Sequence, residues 1–241
     1  MEWIYLSPHF DDAALSCGGL AWEQAQAGQA ASIWTICAGE PRESLRSSFI
    51  ETLHSRWGME AGAVARRREE DILSCREMGA SYRHLQTPDC IYRGSGEPFY
   101  TSEESLFGGL HPSEEGLIAA LSAELSQAVP PEAEIVCPLA LGGHVDHQLT
   151  RAAAERLDRS LWYYADYPYV LKAAEELDQL KQAGWEAVKF RISSAGMCAW
   201  EAAVSAHASQ ISTFWTGLDE MRTALRAYCS SRVGLQLWRK K

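Results

Sequence analysis

Short apolar stretches rich in β-branched and aromatic residues recur along this chain, and most are followed by a longer stretch of helical composition. That alternation constrains the fold more than any other feature. The strand-like stretches are Trp3 to Leu6, Ala31 to Ala38, Ser81 to Gln86, Ala133 to Leu139, Leu161 to Tyr164 and Ala187 to Ile192. Helical composition is found at 13–27, 47–57, 61–78, 113–128, 148–157 and 171–183, and two further stretches, 196–210 and 214–229, close the chain. Gly28 and Gly79 stand where two of these helices should stop, and Pro130-Pro131 breaks a third. Strands alternating with helices in this way imply a mostly parallel sheet covered by helices on both faces. In such sheets the functional groups collect at the carboxyl ends of the strands.

A chain of 241 residues is long enough for a substantial core, and residues 1–241 are expected to form one domain. Lys and Arg total 22 against 32 Asp and Glu, a net charge of −10, which repels phosphate backbones and argues against a nucleic-acid partner. The seven cysteines are odd in number, widely spaced and without a C-x-x-C pair. They fit reduced core thiols better than a disulfide scaffold or a zinc ribbon. The first residues lack a basic, then apolar, leader pattern, and no apolar run approaches the ~20 residues of a bilayer span. A soluble, cytoplasmic protein with no membrane span is therefore expected.

Two clusters of chemically able residues sit at predicted strand ends. Ser7-Pro8-His9-Phe10-Asp11-Asp12 follows the first strand, and Gly142-Gly143-His144-Val145-Asp146-His147 follows the Ala133–Leu139 strand. A parallel sheet can bring both to one edge. Catalytic zinc takes three protein ligands from His, Asp or Glu and keeps one position open, and His9, Asp12 and His147 would make such a set. Asp11 and His144 would then stand beside the metal. A free carboxylate there can take a proton from metal-activated water, and an imidazolium can stabilise the oxyanion formed on a carbonyl. The plainer alternative is that Asp11 or Asp12 simply caps a helix and that the two histidines are surface residues.

The paired His-x-Asp-Asp and His-x-Asp-His motifs, with Gly18-Gly19 after the first, resemble the PIG-L/LmbE family of zinc-dependent N-deacetylases. Supporting matches are Arg67-x-x-Glu70 with Met78-Gly79, Pro88-Asp89, Tyr163-Tyr164 through Asp166 to Pro168-Tyr169, and His207-Ala208-Ser209-Gln210. The resemblance implies one zinc ion per chain on His9, Asp12 and His147, although another divalent metal would satisfy the same donors. It implies Asp11 as general base and His144 as the group that polarises the acyl carbonyl, with Asp146 orienting His144. Arg67 and Asp89 occupy the places that bind sugar hydroxyls in relatives; Arg66 to Glu70 would equally form a solvated helix face. Phe10 departs from the usual proline and would add an aromatic wall beside the metal. Ala13, Ser74, Met78 and His207 also depart from the family pattern, but none is a proposed ligand. Trp57, Tyr92 and Tyr169 are aromatic candidates for the pocket mouth.

The expectation is thus an α/β protein, a Rossmann-like three-layer sandwich, that removes an N-acetyl or other N-acyl group from an amino sugar or glycoconjugate. Several members of the family assemble into trimers or hexamers, so a homo-oligomer is one option and the oligomeric state stays open. Two alternatives stand beside this reading. One is a zinc amidase or esterase acting on a small non-sugar metabolite. The other is a non-catalytic nucleotide- or sugar-binding module, although no G-x-G-x-x-G follows the first strand.

Overall fold

A computed structural model describes residues 1–41, 47–56, 62–231 and 234–240. Nine strands are found among them: β1 (Glu2–Ser7), β2 (Ala30–Thr35), β3 (Ser81–His84), β4 (Gly94–Ser95), β5 (Glu97–Pro98), β6 (Glu134–Pro138), β7 (Leu161–Tyr164), β8 (Trp185–Lys189) and β9 (Gln236–Lys240). The helices are α1 (Asp12–Gln26), α2 (Ser48–Arg56), α3 (Ala63–Met78), α4 (Glu103–Leu106), α5 (Glu115–Ala128), α6 (Val145–Glu155), α7 (Ala174–Gln182), α8 (Ser194–Ala206), α9 (Ile211–Phe214) and α10 (Leu218–Ser230).

Seven strands form one sheet in the order β3-β2-β1-β6-β7-β9-β8. The first five are parallel, whereas β9 runs antiparallel to both β7 and β8. The fold is therefore the expected Rossmann-like α/β sandwich with a mostly parallel sheet. β9 is an addition to the predicted strands. Its two buried residues, Leu237 and Trp238, are adjacent rather than alternating, so no two-residue period marks it. The central strands are apolar throughout because helices cover both faces: Ile4, Tyr5, Leu6, Ile135, Val136 and Cys137 are all inaccessible to solvent.

The strand order reverses direction between β1 and β6, so the crossovers diverge there and leave a crevice at their carboxyl ends. Both histidine–aspartate motifs leave the sheet at that point. Residues 87–112, rich in Gly, Ser, Pro and Glu, carry a 3-10 turn at Cys90–Tyr92, the β4–β5 ribbon and α4. An apolar cluster built from Phe10, Ile50, Leu53, Ile91, Tyr92, Tyr100 and Leu106 packs this segment beside the crevice.

Gly18 and Gly19 lie in the second turn of α1, away from any strand end. A methyl group at Gly18 would fall 2.7 Å from Cδ1 of Trp200, and one at Gly19 would fall 2.9 Å from its Cε3. The indole of Trp200 lies across both glycines with no solvent exposure and donates its N–H to the Ala14 carbonyl at 2.7 Å. The pair thus lets α8 approach α1. It makes no phosphate-binding turn, which leaves the nucleotide alternative without a glycine loop.

Candidate active site

The turn after β1 is built by its own hydrogen bonds. Ser7 Oγ donates to the His9 carbonyl (2.6 Å) and accepts from the Ala13 N–H (2.9 Å). The His9 N–H donates to Asp12 Oδ2 at 2.7 Å, which fixes the Asp12 carboxylate at the start of α1. Asp11 occupies the N-cap position but makes no capping bond. Its carboxylate instead accepts from Arg67 Nη2 of α3 at 3.2 Å, and both side chains are buried. The capping alternative thus does not describe Asp11.

The second motif enters through a turn of left-handed residues, with φ of 60° at Ala140, 80° at Gly142 and 76° at Gly143. Gly142 is required twice over, because a Cβ there would meet the Tyr169 ring at 2.8 Å. His144 caps α6 by accepting the Asp146 N–H on Nδ1 at 3.2 Å. His147 lies one turn further into the site. The rings of His9, His144 and His147 surround one point, with centroids 4.9–5.6 Å apart.

Each of two histidines is held from behind by a carboxylate. His9 Nε2 donates to Asp146 Oδ2 at 2.9 Å, and His147 Nδ1 donates to Asp166 Oδ1 at 2.6 Å. Asp166 is itself fixed by the Leu141 N–H on its other oxygen at 2.9 Å. The remaining nitrogens both face Asp12 Oδ2, His9 Nδ1 at 3.1 Å and His147 Nε2 at 3.3 Å. Ligand atoms about 2.0–2.1 Å from a tetrahedral ion lie roughly 3.3 Å apart, so this spacing suits a shared cation. The carboxylate behind each imidazole is the usual way a metal-binding histidine is oriented.

Other donor triads overlap this one. His9, His144 and His147 offer atoms within 4.8 Å of one another, as do Cys90, His144 and Asp146, and His9, Asp89 and Asp146. The last two depend on Asp146, whose other oxygen is taken by Arg93 Nη1, and that guanidinium opposes a cation there. Two overlapping donor sets therefore stand clear of that guanidinium, His9 and His147 with Asp12 and the same two histidines with His144, and both have donors that suit a divalent metal.

Charge coupling runs through the same groups. Burial alone would raise the Asp12 carboxyl, yet the imidazoles of His147 and His9 hold it well below the usual range. Burial would lower His147, but Asp12 and Asp166 overturn this and hold it at about 10; His9 is raised in the same way by Asp12 and Asp146. The cluster favours positive charge between its carboxylates. His144 behaves oppositely: burial and the neighbouring His9 push it down to about 3, so its ring is neutral at pH 7 where an imidazolium was expected. With Nδ1 accepting a hydrogen bond, the single proton of the neutral ring sits on Nε2.

These residues border a cavity of about 330 Å³. Arg67, Asp89 and Gln210 supply polar groups to its wall, while Leu53, Leu106, Phe107, Tyr169 and Phe214 supply apolar ones. Asp89 uses one oxygen to accept the Ile91 N–H and places the other 3.6 Å from His9 Nε2. Phe10 is not part of this wall; it is buried among the apolar cluster, 5.5 Å beneath the Arg67 guanidinium and edge-on to His84. Tyr169 does line the cavity, Tyr92 turns its hydroxyl to His54 at 2.6 Å, and Trp57 lies outside the described residues. A larger cavity of about 840 Å³ opens at the opposite ends of β6 and β7 and contains none of the strand-end residues. Several of its polar side chains are engaged with one another, as in the Arg239–Glu186 and Trp162–Glu134 contacts, and neither histidine–aspartate motif reaches it.

Asp146 sits differently from the role expected of it. It meets His144 through its backbone N–H, while its carboxylate serves His9 Nε2, the Cys90 N–H (3.0 Å) and Arg93. No motif in the sequence marks Arg93 or Glu114, whereas Asp166 is the acidic residue of the Tyr163–Tyr169 segment that resembles the family pattern. Glu70, one turn along α3 from Arg67, accepts from the N–H (3.0 Å) and Oγ (2.6 Å) of Ser209, which ties the segment carrying Gln210 to the helix carrying Arg67.

No helix among the described residues is long and apolar enough to cross a membrane. The chain is 29% identical over 206 residues to a 2'-N-acetylparomamine deacetylase of Niallia circulans, covering 78% of this chain and 73% of that protein. Its fold is similar to two solved structures, each match covering 99% of this chain and 97% of the other. One is a deacetylase–bog complex from the teicoplanin biosynthesis pathway, with a TM-score of 0.81 and 24% identity. The second is the zinc inhibited form of teicoplanin deacetylase Orf2, with a TM-score of 0.80 and 23% identity. The model of the PIG-L family, described as GlcNAc-PI de-N-acetylase, matches residues 4–157, the span holding both histidine–aspartate motifs, and the chain belongs to that family.

Proposed function

We propose that this protein is a metal-dependent N-deacetylase that hydrolyses the N-acetyl, or a related N-acyl, group of an amino sugar or glycoconjugate. One observation carries the reading: two carboxylate-backed histidines aim their free nitrogens at one oxygen of Asp12, with Asp11 and His144 on the same cavity wall. His9, Asp12 and His147 would hold the ion. When bound, it supplies Lewis acidity to the acyl oxygen and lowers the pKa of water.

The residues around it perform the proton transfers. Asp11 accepts a proton from the attacking water, and Arg67 holds its carboxylate in place by the 3.2 Å hydrogen bond from Nη2. His144 donates a hydrogen bond from Nε2 to the acyl oxygen as negative charge grows there, so it acts as a neutral electrophile. When the C–N bond breaks, Asp11 returns its proton to the departing amine, which leaves acetate and a free amino sugar. Asp89, Gln210 and Arg67 offer acceptors and donors to hydroxyl groups, and Tyr169 and Phe107 offer ring faces. The cavity lies near the lower end of the ~300–1,000 Å³ range for small-molecule sites, which suits one sugar unit with the remainder outside. The relative from Niallia circulans supports an amino-sugar substrate by its name.

The same reading carries zinc as the ion, residues 1–241 as one domain, a cytoplasmic location and a homo-oligomer. Elemental analysis and light scattering test the first and last. The enzymatic claim is tested by acetate release from a panel of N-acetylated amino sugars, with zinc and other divalent ions added in turn. His147→Ala should lose the ion, whereas Asp11→Asn should keep it and lose about 10²–10⁴-fold in rate. A fully active Asp11→Asn variant removes Asp11 from the mechanism. Hydrolysis of non-sugar amides alone would transfer the activity to the amidase alternative.

A further inference from the structure

Behind His9 runs a buried chain of charged groups drawn from segments far apart in sequence. His9 Nε2 donates to Asp146 Oδ2, and Asp146 Oδ1 accepts from Arg93 Nη1. Arg93 Nε donates to Glu114 Oε1 at 2.5 Å, and Tyr100 donates its hydroxyl proton to Glu114 Oε2 at 2.5 Å. Asp146, Arg93 and Glu114 are 0%, 5% and 1% exposed. Arg93 also donates to the Pro88 carbonyl at 3.2 Å, closing the turn that presents Asp89 and the Cys90 N–H. Two of its three nitrogens are therefore committed, Nη1 toward the site and Nε toward Glu114 at the start of α5, while Nη2 is buried without a hydrogen-bond partner.

We propose that Arg93 is a positioning residue for the candidate metal centre, acting through Asp146 on the His9 ring, with Glu114 as the anchor that sets the guanidinium. A carboxylate with no solvent around it serves as a hydrogen-bond acceptor for imidazole only while ionised and oriented. Removing its cationic partner leaves an uncompensated buried charge. Arg93 supplies that charge permanently, since a guanidinium does not deprotonate, and its planar fork fixes direction as well as sign. The Asp146 carboxylate is thereby turned so that Oδ2 meets His9 Nε2, which leaves Nδ1 facing Asp12 Oδ2 at 3.1 Å. His147 has a simpler support, because Asp166 takes its second fixed contact from a backbone N–H rather than from an arginine. The two imidazoles are thus held by unequal means, and the His9 side depends on the segment between β3 and α5.

This inference rests on the metal reading only for its second readout. The first uses metal-free full-length protein labelled with ¹⁵N at histidine. In the wild type the His9 ring is fixed by Asp146, and in Arg93→Met its ring nitrogen signals should move or broaden while those of His147 stay. Arg93→Lys should restore part of the wild-type pattern, and Glu114→Gln should give a smaller shift in the same direction. The second readout is cobalt(II) affinity by chelator competition, with the visible absorption of the bound ion. Arg93→Met should bind about 10–100-fold more weakly, the range seen when outer partners of metal ligands are removed, with an altered spectrum. His9 signals that stay unmoved in both Arg93→Met and Glu114→Gln overturn the proposal. If Arg93→Met does not fold, Glu114→Gln carries the test by the same two measurements. A wild-type protein that binds no cobalt defeats the metal reading instead, and the ring signals still decide the role of Arg93.

Discussion

Replacing Gly18 with alanine should destabilise this protein, although the same change in a solvent-facing helix position stabilises most proteins. The helix gains about 0.8–1 kcal/mol when glycine becomes alanine, from backbone entropy alone. Against this stands the Trp200 indole, whose Cδ1 and Nε1 would lie 2.7 and 3.2 Å from the new methyl carbon. Carbon atoms in contact sit at about 3.5–4.0 Å, so the ring and the helix must separate by nearly an ångström. Neither yields easily. The ring has no exposed edge, its N–H is committed to the Ala14 carbonyl, and Met78 Sδ lies 3.4 Å from the same point.

Overpacking costs about 1–3 kcal/mol, and a clash with a ring that is fully buried and hydrogen-bonded falls in the upper part of that range, about 2–3 kcal/mol. The net loss is then about 1–2 kcal/mol, or roughly 2–8 °C in Tm for a chain of this size. Gly116 is the internal control: it lies in α5, is exposed, and has no atom within 4 Å of where an alanine methyl would sit. Gly116→Ala should raise Tm by about 2–4 °C, and the double variant should show the sum of the two changes. Thermal and urea unfolding followed by circular dichroism read all three. A Gly18→Ala protein as stable as the wild type would refute the close α1–α8 packing, and with it the structural explanation of the glycine pair.

Asp166→Asn should fold, because the amide oxygen can still accept the Leu141 N–H, but it loses the charged acceptor for His147 Nδ1. Metal affinity measured by chelator competition should fall about 10–100-fold; an unchanged value would mean that Asp166 does not orient His147. A pH series tests the charge cluster. His147 is held at about 10 in the metal-free fold against about 6.5 when unfolded, so its contribution is complete below about 6.5 and is lost as pH rises toward 10. The raised His9 acts in the same direction. The urea midpoint of metal-free protein should therefore fall between pH 7 and 10 more steeply than that of metal-loaded protein, whose imidazoles bind in the neutral form. Parallel curves for the two forms would show that His147 does not carry the expected proton.

The parts of the fold that rest on local patterning were legible in the sequence. Residues 2–7 and 30–35 are apolar runs bounded by turns, and α3 ends at Gly79 with φ of 66°, the left-handed stop that glycine favours. β9 lacks such a pattern, since its place is set by pairing with β7 and β8 rather than by its own alternation. The strand-end clusters were legible for a related reason: a parallel sheet gathers strand ends whatever lies between them. Neither motif needs its partner to be nearby in sequence for that rule to act.

The direction of side chains within those clusters follows different physics. Asp146 stands two residues after His144, and proximity suggests that its carboxylate serves that ring. Successive residues at a helix start, however, point about 100° apart. His144 is the cap, Asp146 lies inside the first turn, and the Asp146 carboxylate swings to His9 and Arg93, leaving only its N–H for His144. The contacts that orient the two histidines span 137 and 19 residues, and those of Arg93 to Asp146 and Glu114 span 53 and 21. No periodicity or spacing rule encodes pairs at such separations. The candidate ligands therefore stand in short motifs, whereas the orientation of their side chains is decided by the irregular segment between β3 and α5 and by the turn after β7. Under the proposed function, any difference in metal affinity between this chain and its relatives should accordingly trace to those two segments before it traces to the histidines themselves.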